Sequence, residues 1–460
     1  MQHRQSVRRV PPAPQVLAQL HADYLRYKRK TGKRISFKKY LALIGFKDPT
    51  AGFDGGDTGA RDVVGSNFIL VAVPKRAVTG TVRVMVLLTD FDDKPGVRPP
   101  HEYEDMLFSK GTFQTGSLRD FFAEVSLGKV NVVGTVHGWL RMPKPYSYYV
   151  NGKSGTGRYP KNCQRLAEDA LAVARARRVS FPKGLDNFHD GSITALVIVH
   201  AGRGAEVMTT KAAPNAIWSH KADMHAPVTV SRSLAATNYL TVPEDCRMGV
   251  CAHELGHLLF QWDDFYDPNY DDDGAGWDGA GNWDLMAGGT WNNGGITPAH
   301  PAGLHKSQHR WVDIQHVDST TRGIVIPPYS KKKGKVVRVT SDAFSPTECL
   351  ILENRQRVGF DRMLPGKGLL VWRVDTRMEQ VSPDKPAMLL IEADGRHNLE
   401  RPDDDDEGDA GDPFPGPGRH HALKDTGKRS TSFPRKRSGI SLQNIVLDAS
   451  GVITLDIVIV

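Results

Sequence analysis

The sequence predicts an α/β region over the first two thirds of the chain and an all-β, sandwich-like region after it. Helical patterns alternate with apolar, strand-like runs as far as residue 202, as in a sheet layer covered by helices. From residue 317 onward, short apolar runs are separated by turn residues, which is typical of a β-sandwich. A chain of 460 residues is also too long for one simple domain. We therefore expect three segments, 1–80, 81–316 and 317–460.

The N-terminal segment is predicted to be helical and basic over residues 12–50, because apolar residues recur there at helical spacing. The Gly/Asp-rich stretch AGFDGGDTGARD then predicts a linker, and residues 1–80 as a whole are a candidate propeptide. Residues 81–91 and 192–202 predict buried strands, whereas LRDFFAEVS and CQRLAEDALAVARARR predict helices. Residues 263–293 are rich in Asp, Gly, Trp and Asn and predict a long, functional loop.

The composition is that of an ordinary soluble protein, with 39% hydrophobic and 24% charged residues. The net charge is +8, but no nucleic-acid-binding motif accompanies it, so we expect no nucleic-acid partner. No apolar run approaches the ~20 residues of a membrane span, and no apolar signal-peptide core follows the basic start. The four cysteines are too few for a disulfide scaffold.

One short motif, His253-Glu254-Leu255-Gly256-His257, predicts a metal centre on an apolar helix. Residues four apart lie on the same face of a helix, so both imidazoles can reach one ion. Zinc accepts neutral imidazole ligands, and its catalytic sites keep one coordination position for water. Glu254 is therefore the candidate general base that takes a proton from this water.

A third protein ligand is expected shortly after the second histidine. In the metzincin pattern HExxHxxGxxH its position falls on Asp263, whose carboxylate is an acceptable zinc ligand, while the adjacent Asp264 stays open. Downstream, Met286 lies in the Gly-flanked run NWDLMAGGTWNN, where metzincin-like sites have a Met-turn beneath the metal. The alternative is a methionine that only fills a gap in the core. The pattern favours a metzincin-like zinc peptidase over a chance match.

One residue departs from this pattern, because Phe260 stands where glycine normally ends the helix. Glycine allows the backbone a positive φ and a turn back towards the metal, which phenylalanine makes costly. The residue at which the helix ends, and therefore the identity of the third ligand, stays open. Tyr266 and Tyr270 are candidates for stabilising the oxyanion by residue type alone.

Several motifs in a fixed order resemble the immune inhibitor A family of metalloproteases, from about residue 81 to the C-terminus. They are VMVLLTDFDDKP, GSLRDFFAEVSLGKVNVVGTVHGW, AIWSHKADM, CAHELGHLLFQWDDFYD, WDLMAGGTW, ILENRQRVGFDRMLPGKGLLVWRVD and IEADGRHNLE.

The resemblance implies an extracellular zinc endopeptidase with protein substrates, often with bound calcium. It assigns the metal ligands to His253, His257 and Asp263 and the catalytic glutamate to Glu254. Relatives usually have HExxHxxGxPD, so Trp262 departs from them as Phe260 does.

Calcium has two candidate sites in the sequence. Asn269, Asp271 and Asp273 have the spacing at the start of an oxygen-ligand loop, although the closing glutamate of an EF-hand is missing. Asp409 and Asp412 form a weaker candidate. The alternative for both is a solvated acidic turn.

A latency hypothesis concerns Asp57. The segment FDGGD resembles the FxGxD segment with which astacin-type proenzymes place an aspartate on zinc, so Asp57 could replace the catalytic water until the first ~60 residues are removed. The alternative is a plain Gly/Asp linker.

Two other functions stay open at this point. One is a non-catalytic adhesion or carbohydrate-binding protein with a vestigial peptidase domain, against which both histidines and Glu254 count. The other is a zinc hydrolase of a non-peptide substrate, which the HExxH motif alone does not exclude.

Overall fold

The computed structural model describes residues 8–44, 74, 76–208, 212–267, 277–329, 333–378, 386–401, 407–434 and 436–460. The helices in these ranges are α1 (Pro14–Thr31), α2 (Phe37–Ile44), α3 (Pro100–Phe108), α4 (Leu118–Val125), α5 (Tyr146–Val150), α6 (Cys163–Ala176), α7 (Met248–Phe260) and α8 (Gly303–Gln308). Short 3₁₀ turns lie at Lys183–Leu185, Ala205–Val207, Ala213–Asn215, Gly281–Trp283, Gly288–Trp291 and Gly359–Met363. None of the described helices is long and apolar enough to span a bilayer.

The strands fall into a mixed group before α7 and an all-β group after it. The first group is β1 (Arg8–Arg9), β2 (Gly80–Asp90), β3 (Val130–Arg141), β4 (Leu196–His200), β5 (His220–Ser231) and β6 (Leu234–Pro243). The second group is β7 (Asp313–Val317), β8 (Thr321–Ile326), β9 (Lys335–Val339), β10 (Glu348–Arg355), β11 (Gly368–Asp375), β12 (Met388–Leu390), β13 (Ile440–Leu447) and β14 (Ile453–Ile459).

The first group forms one six-stranded sheet in the order β1-β5-β6-β4-β2-β3. β2, β3, β4 and β6 run parallel, whereas β5 is antiparallel to β6 and β1 is antiparallel to β5. Strands buried on both faces read as continuous apolar runs, and β2 is such a strand. Its Val84 and Val86 pack into the core on the α7 side, while Met85 and Leu87 pack into the core on the α6 side.

The local sequence explains where the helices of this layer begin. Ser117 and Asp120 form a reciprocal capping box at the start of α4. Asn162 caps α6 by accepting a hydrogen bond from the N–H of Arg165. Both helices, like strands β2 and β4, lie where the apolar patterns predict them.

The region after residue 313 is β-rich. It has a five-stranded sheet, β12-β11-β10-β9-β7, and a three-stranded sheet, β13-β14-β8. In the five-stranded sheet, Leu350 and Leu352 pack into a core shared with the three-stranded sheet, whereas Ile351 joins the core that contains α7. One face of this sheet therefore supports the layer that carries the metal motif.

Candidate metal centre

Helix α7 carries the HExxH motif through the core, and all of its residues are buried. It follows β6 and packs closely on the turn that contains Met286. A Cβ atom on Gly256 would lie 2.7 Å from the Met286 sulfur, so glycine is needed for this approach. The helix face that bears His253 and His257 is thereby held against the Met286 turn.

The two histidines of the motif direct their Nε2 atoms towards one point. Nδ1 of His253 lies 3.0 Å from the Leu285 carbonyl oxygen, and Nδ1 of His257 lies 2.7 Å from the Trp262 carbonyl oxygen. A carbonyl can only accept, so each Nδ1 carries a proton, and the neutral form of each ring then has its lone pair on Nε2. The two Nε2 atoms are 3.1 Å apart. This orientation through the other ring nitrogen is typical of metal-binding histidines.

The third side chain that reaches this point is Asp264. Its Oδ1 lies 3.2 Å from Nε2 of His253 and 3.1 Å from Nε2 of His257, and its side chain is buried. Burial alone raises the pKa of this carboxyl, but positive charge on the adjacent imidazoles, when they are protonated, and their hydrogen bonds lower it well below its ordinary value. Asp264 is therefore available as an anion.

Asp263, the position that the metzincin count favours, is half-buried and is not part of the group formed by His253, His257 and Asp264. The end of the helix explains the difference. Phe260 stays helical, and the left-handed residue is Gln261, with φ 58° and ψ 32°. In HExxHxxGxxH the ligand follows the turn glycine by three residues, and three residues after Gln261 is Asp264. The turn and the carboxylate that reaches the histidines are both displaced by one residue.

The three converging atoms fit a divalent cation. Two imidazole lone pairs and a carboxylate oxygen are all acceptors, and acceptors 3.1–3.2 Å apart repel one another unless a proton or a cation lies among them. Zinc bonds of ~2.0–2.1 Å in tetrahedral geometry place ligand atoms roughly 3.3 Å apart, close to these separations. Two histidines and one carboxylate are also a familiar ligand set of catalytic zinc.

Glu254 lies beside this group and is fully buried. The main-chain N–H of Val10 faces its carboxylate, but neither oxygen has a close, well-aligned donor among the described residues. Burial raises the pKa of Glu254 well above its ordinary value, and the negative charges of Asp264 and Glu206 add to the rise. A buried carboxylate without strong protein donors is suited to taking up a proton.

Met286 is buried beneath α7, and its turn is held by a pair that sequence reasoning missed. Asp284 accepts hydrogen bonds from the N–H groups of Met286 and Ala302, and its other oxygen lies 3.0 Å from Nε2 of His305. Burial alone raises the pKa of Asp284, but His305 and these hydrogen bonds lower it. The two residues are 21 positions apart, and no local pattern pairs them.

Other predicted site residues are placed elsewhere or not described. Tyr266 is buried, with its ring centroid 6.4 Å from that of His253, so it stays near the centre. Tyr270, the calcium candidates Asn269, Asp271 and Asp273, and Asp57 lie outside the described residues.

Asp412 of the weaker calcium candidate lies with Glu392 and Asp394 in a second acidic group. Each of these carboxylates already accepts hydrogen bonds from the protein. Asp409 instead pairs with Arg396. The described residues therefore give no support for bound calcium.

Comparison with known proteins agrees with the resemblance in the motifs. The family model described as immune inhibitor A peptidase M6, catalytic domain, matches residues 75–317, more than half of the chain. The chain is 30% identical over 312 residues to Immune inhibitor A of Bacillus thuringiensis subsp. alesti, over 55% of this chain and 45% of that protein. It is 31% identical over 265 residues to Pre-pro-metalloprotease PrtV of Vibrio cholerae serotype O1, over 47% of this chain and 28% of that protein. The chain thus spans less than half the length of these relatives. On the family match, it belongs to the immune inhibitor A peptidase M6 family.

Proposed function

We propose that the chain is a zinc-dependent endopeptidase, with zinc held by His253, His257 and Asp264 and with Glu254 as the general base. The observation that carries the proposal is the convergence of two Nε2 atoms and one carboxylate oxygen directly beside a fully buried glutamate. Membership of the peptidase M6 family supports it, as does the name metalloprotease of one relative.

When bound, zinc would lower the pKa of a water towards ~7 and polarise the peptide carbonyl. Glu254 would take the proton from this water and return it to the leaving amine. The Leu285 and Trp262 carbonyls keep both histidines in the tautomer that leaves Nε2 unprotonated. The close contact between Gly256 and Met286 sets the distance between α7 and the Met286 turn, and therefore the position of Glu254 on α7.

The proposal also covers the fold of the two regions and the place where the enzyme acts. The catalytic fold is metzincin-like, since the Met286 turn lies beneath the HExxH helix, and the β-rich region after residue 313 is a sandwich, since its two sheets share a core. The enzyme acts outside the cell on protein substrates, as the family resemblance implies. The role of Asp57 in latency stays a prediction.

Casein or gelatin cleavage by the purified protein, with and without a chelator, tests the function. We expect the chelator to abolish cleavage and added zinc to restore it. Glu254→Gln should retain zinc and lose roughly 10²–10⁴-fold in kcat, because only the proton transfer is removed. Glu168→Gln, on the opposite side of the sheet in α6, is the matched control and should leave kcat unchanged.

Two outcomes would contradict the proposal. Full cleavage in Glu254→Gln would refute the role of this residue. Absence of proteolysis by the zinc-loaded protein would favour a binding protein or a hydrolase of another substrate class.

A further inference from the structure

Two of the four cysteines lie side by side where β6 leads into α7. Cys246 follows the end of β6, and Cys251 lies in the first turn of α7. Their Sγ atoms are 3.6 Å apart. Both side chains are buried, with exposed fractions of 4% and 3%. The contact joins two thiols directly before the HExxH motif.

The local fold explains why these two residues meet. Arg247 is the N-cap of α7, so Cys246 precedes the cap and Cys251 is the fourth helical residue. Apolar side chains at these two positions pack against each other in a hydrophobic staple, which fixes the direction in which the chain enters a helix. The N–H of Cys246 donates to the Pro243 carbonyl, and that of Cys251 donates to the Arg247 carbonyl. The approach of the two sulfurs therefore follows from how α7 begins.

The surroundings allow the two sulfurs to come closer. A sulfur–sulfur bond is ~2.05 Å long, so closing the contact needs a movement of roughly 1.6 Å shared by two side chains. A small apolar void of about 10 Å³ borders both cysteines and Leu255. The other two cysteines lie apart, Cys163 in the core on the α6 side of the sheet and Cys349 in β10. Among the described residues, only Cys246 and Cys251 bring two sulfurs into contact.

We propose that Cys246 and Cys251 form a disulfide bond that ties the start of α7 to the end of β6 when the chain folds in an oxidising compartment. One sulfur–sulfur bond forms as each thiol loses its hydrogen. The two electrons and two protons pass to a disulfide donor such as glutathione disulfide, which is reduced to two thiols. The proposal rests on one part of the proposed function, the location outside the cell, because disulfides persist there and are rare in the reducing cytosol.

The bond would act on the helix that carries the candidate metal ligands, because His253 follows Cys251 by two residues. A disulfide stabilises a fold mainly by restricting the unfolded chain, even when the closed loop is short. The start of α7 then stays attached to β6 when the rest of the fold is stressed. In the reduced chain, the same two residues only pack against each other.

The test uses the full chain, produced in the periplasm of a bacterial host, where disulfides form during folding. Iodoacetamide under denaturing conditions should label two cysteines per chain before reduction and all four after reduction. Peptide mapping by mass spectrometry should show Cys246 linked to Cys251, whereas Cys163 and Cys349 should carry the label without reduction. The same protein treated with dithiothreitol is the reduced reference.

Thermal unfolding separates a covalent bond from simple packing. The oxidised chain should have a Tm about 4 °C or more above that of the reduced chain, as expected for a loop of this length. This difference should vanish in Cys246→Ala, because no bond can form. It should persist in Cys349→Ala, the matched control, since both side chains are 4% exposed. Cys251→Ala is the second variant if Cys246→Ala does not fold, and the same loss of the difference is expected.

The possible outcomes are distinct. Four cysteines labelled before reduction, or Cys246 or Cys251 linked to another cysteine, would overturn the proposal. A linked pair with equal Tm in the oxidised and reduced chain would overturn its stabilising role. Because bond formation is measured without a substrate, a linked pair in a chain that cleaves no protein would support the disulfide while the endopeptidase proposal fails.

Discussion

Two groups of side chains in this molecule each bring three possible metal ligands close together, but the surroundings of the two groups differ. At the HExxH helix, His253, His257 and Asp264 turn three acceptor atoms towards one another. In the β-rich region, Glu392, Asp394 and Asp412 also come within reach of one ion, but each is met by protein donors.

The donors of the second group are main-chain and side-chain N–H groups. Glu392 accepts from the N–H groups of Asn398 and Leu399, Asp412 accepts from the Trp283 indole, and Asp394 pairs with Arg396. Proximity of carboxylates is therefore weak evidence for a metal site. Acceptor atoms that face one another at short distance are stronger evidence, because they repel one another unless a proton or a cation lies between them.

The largest expected effect comes from removing a histidine of the first group. His257→Ala removes one imidazole and should abolish stable zinc binding. Metal catalysis supplies several kcal/mol of transition-state stabilisation, so cleavage should fall roughly a thousandfold or more. Metal analysis by mass spectrometry and a casein assay measure the two losses. A His257→Ala variant that keeps both zinc and activity would show that the first group is not the catalytic metal site.

The two neighbouring aspartates give a sharper, matched test. Asp264→Asn should weaken zinc binding by more than about a hundredfold, because even groups that only orient a ligand are worth 10–100-fold. Asp263→Asn, one residue away and outside the group, should change zinc affinity less than about twofold. Competition with a zinc-binding dye gives both affinities. The reverse order would assign the ligand to Asp263 and contradict the shifted helix end.

The second group should respond to pH rather than to metal. Burial raises the pKa of Asp412 to about 8, and the nearby Glu392 and Asp409 add to this. A carboxyl with a higher pKa in the folded than in the unfolded chain stabilises the fold below its unfolded pKa of ~3.9, and this contribution is lost as the pH rises towards 8.

We therefore expect the free energy of unfolding to fall between about pH 4 and pH 8, by about 1.4 kcal/mol for each unit of pKa difference. Asp412→Asn should flatten this dependence, since the amide oxygen can still accept from Trp283. Urea denaturation at a series of pH values, with a chelator present, measures it, and the exposed Asp342→Asn is the control. An unchanged slope in Asp412→Asn would show that this carboxyl does not titrate as stated.

Sequence patterns predicted those parts of the site that depend on local periodicity. The i, i+4 spacing of His253 and His257 places them on one face wherever the helix lies, and the apolar run around them predicts its burial. The alternation of helices and strands likewise predicted the mixed sheet and the β-rich region after it.

The parts that were not predicted depend on single turns or distant contacts. Whether Asp263 or Asp264 reaches the histidines depends on whether the helix ends before Phe260 or, as in the structure, at Phe260. Packing favours the longer helix, because Phe260 stacks on Trp262 with ring centroids 4.8 Å apart. The Asp284–His305 pair joins residues far apart in the chain. β1 is two residues long, too short for any periodic signal.

The most direct test of the central claim is the position of the metal itself. Crystals of the zinc-loaded full chain, measured at the zinc absorption edge, should show one anomalous peak ~2.0–2.2 Å from Nε2 of His253, Nε2 of His257 and a carboxylate oxygen of Asp264. A peak bound by Asp263 instead, or zinc found only at Glu392, Asp394 and Asp412, would contradict the account.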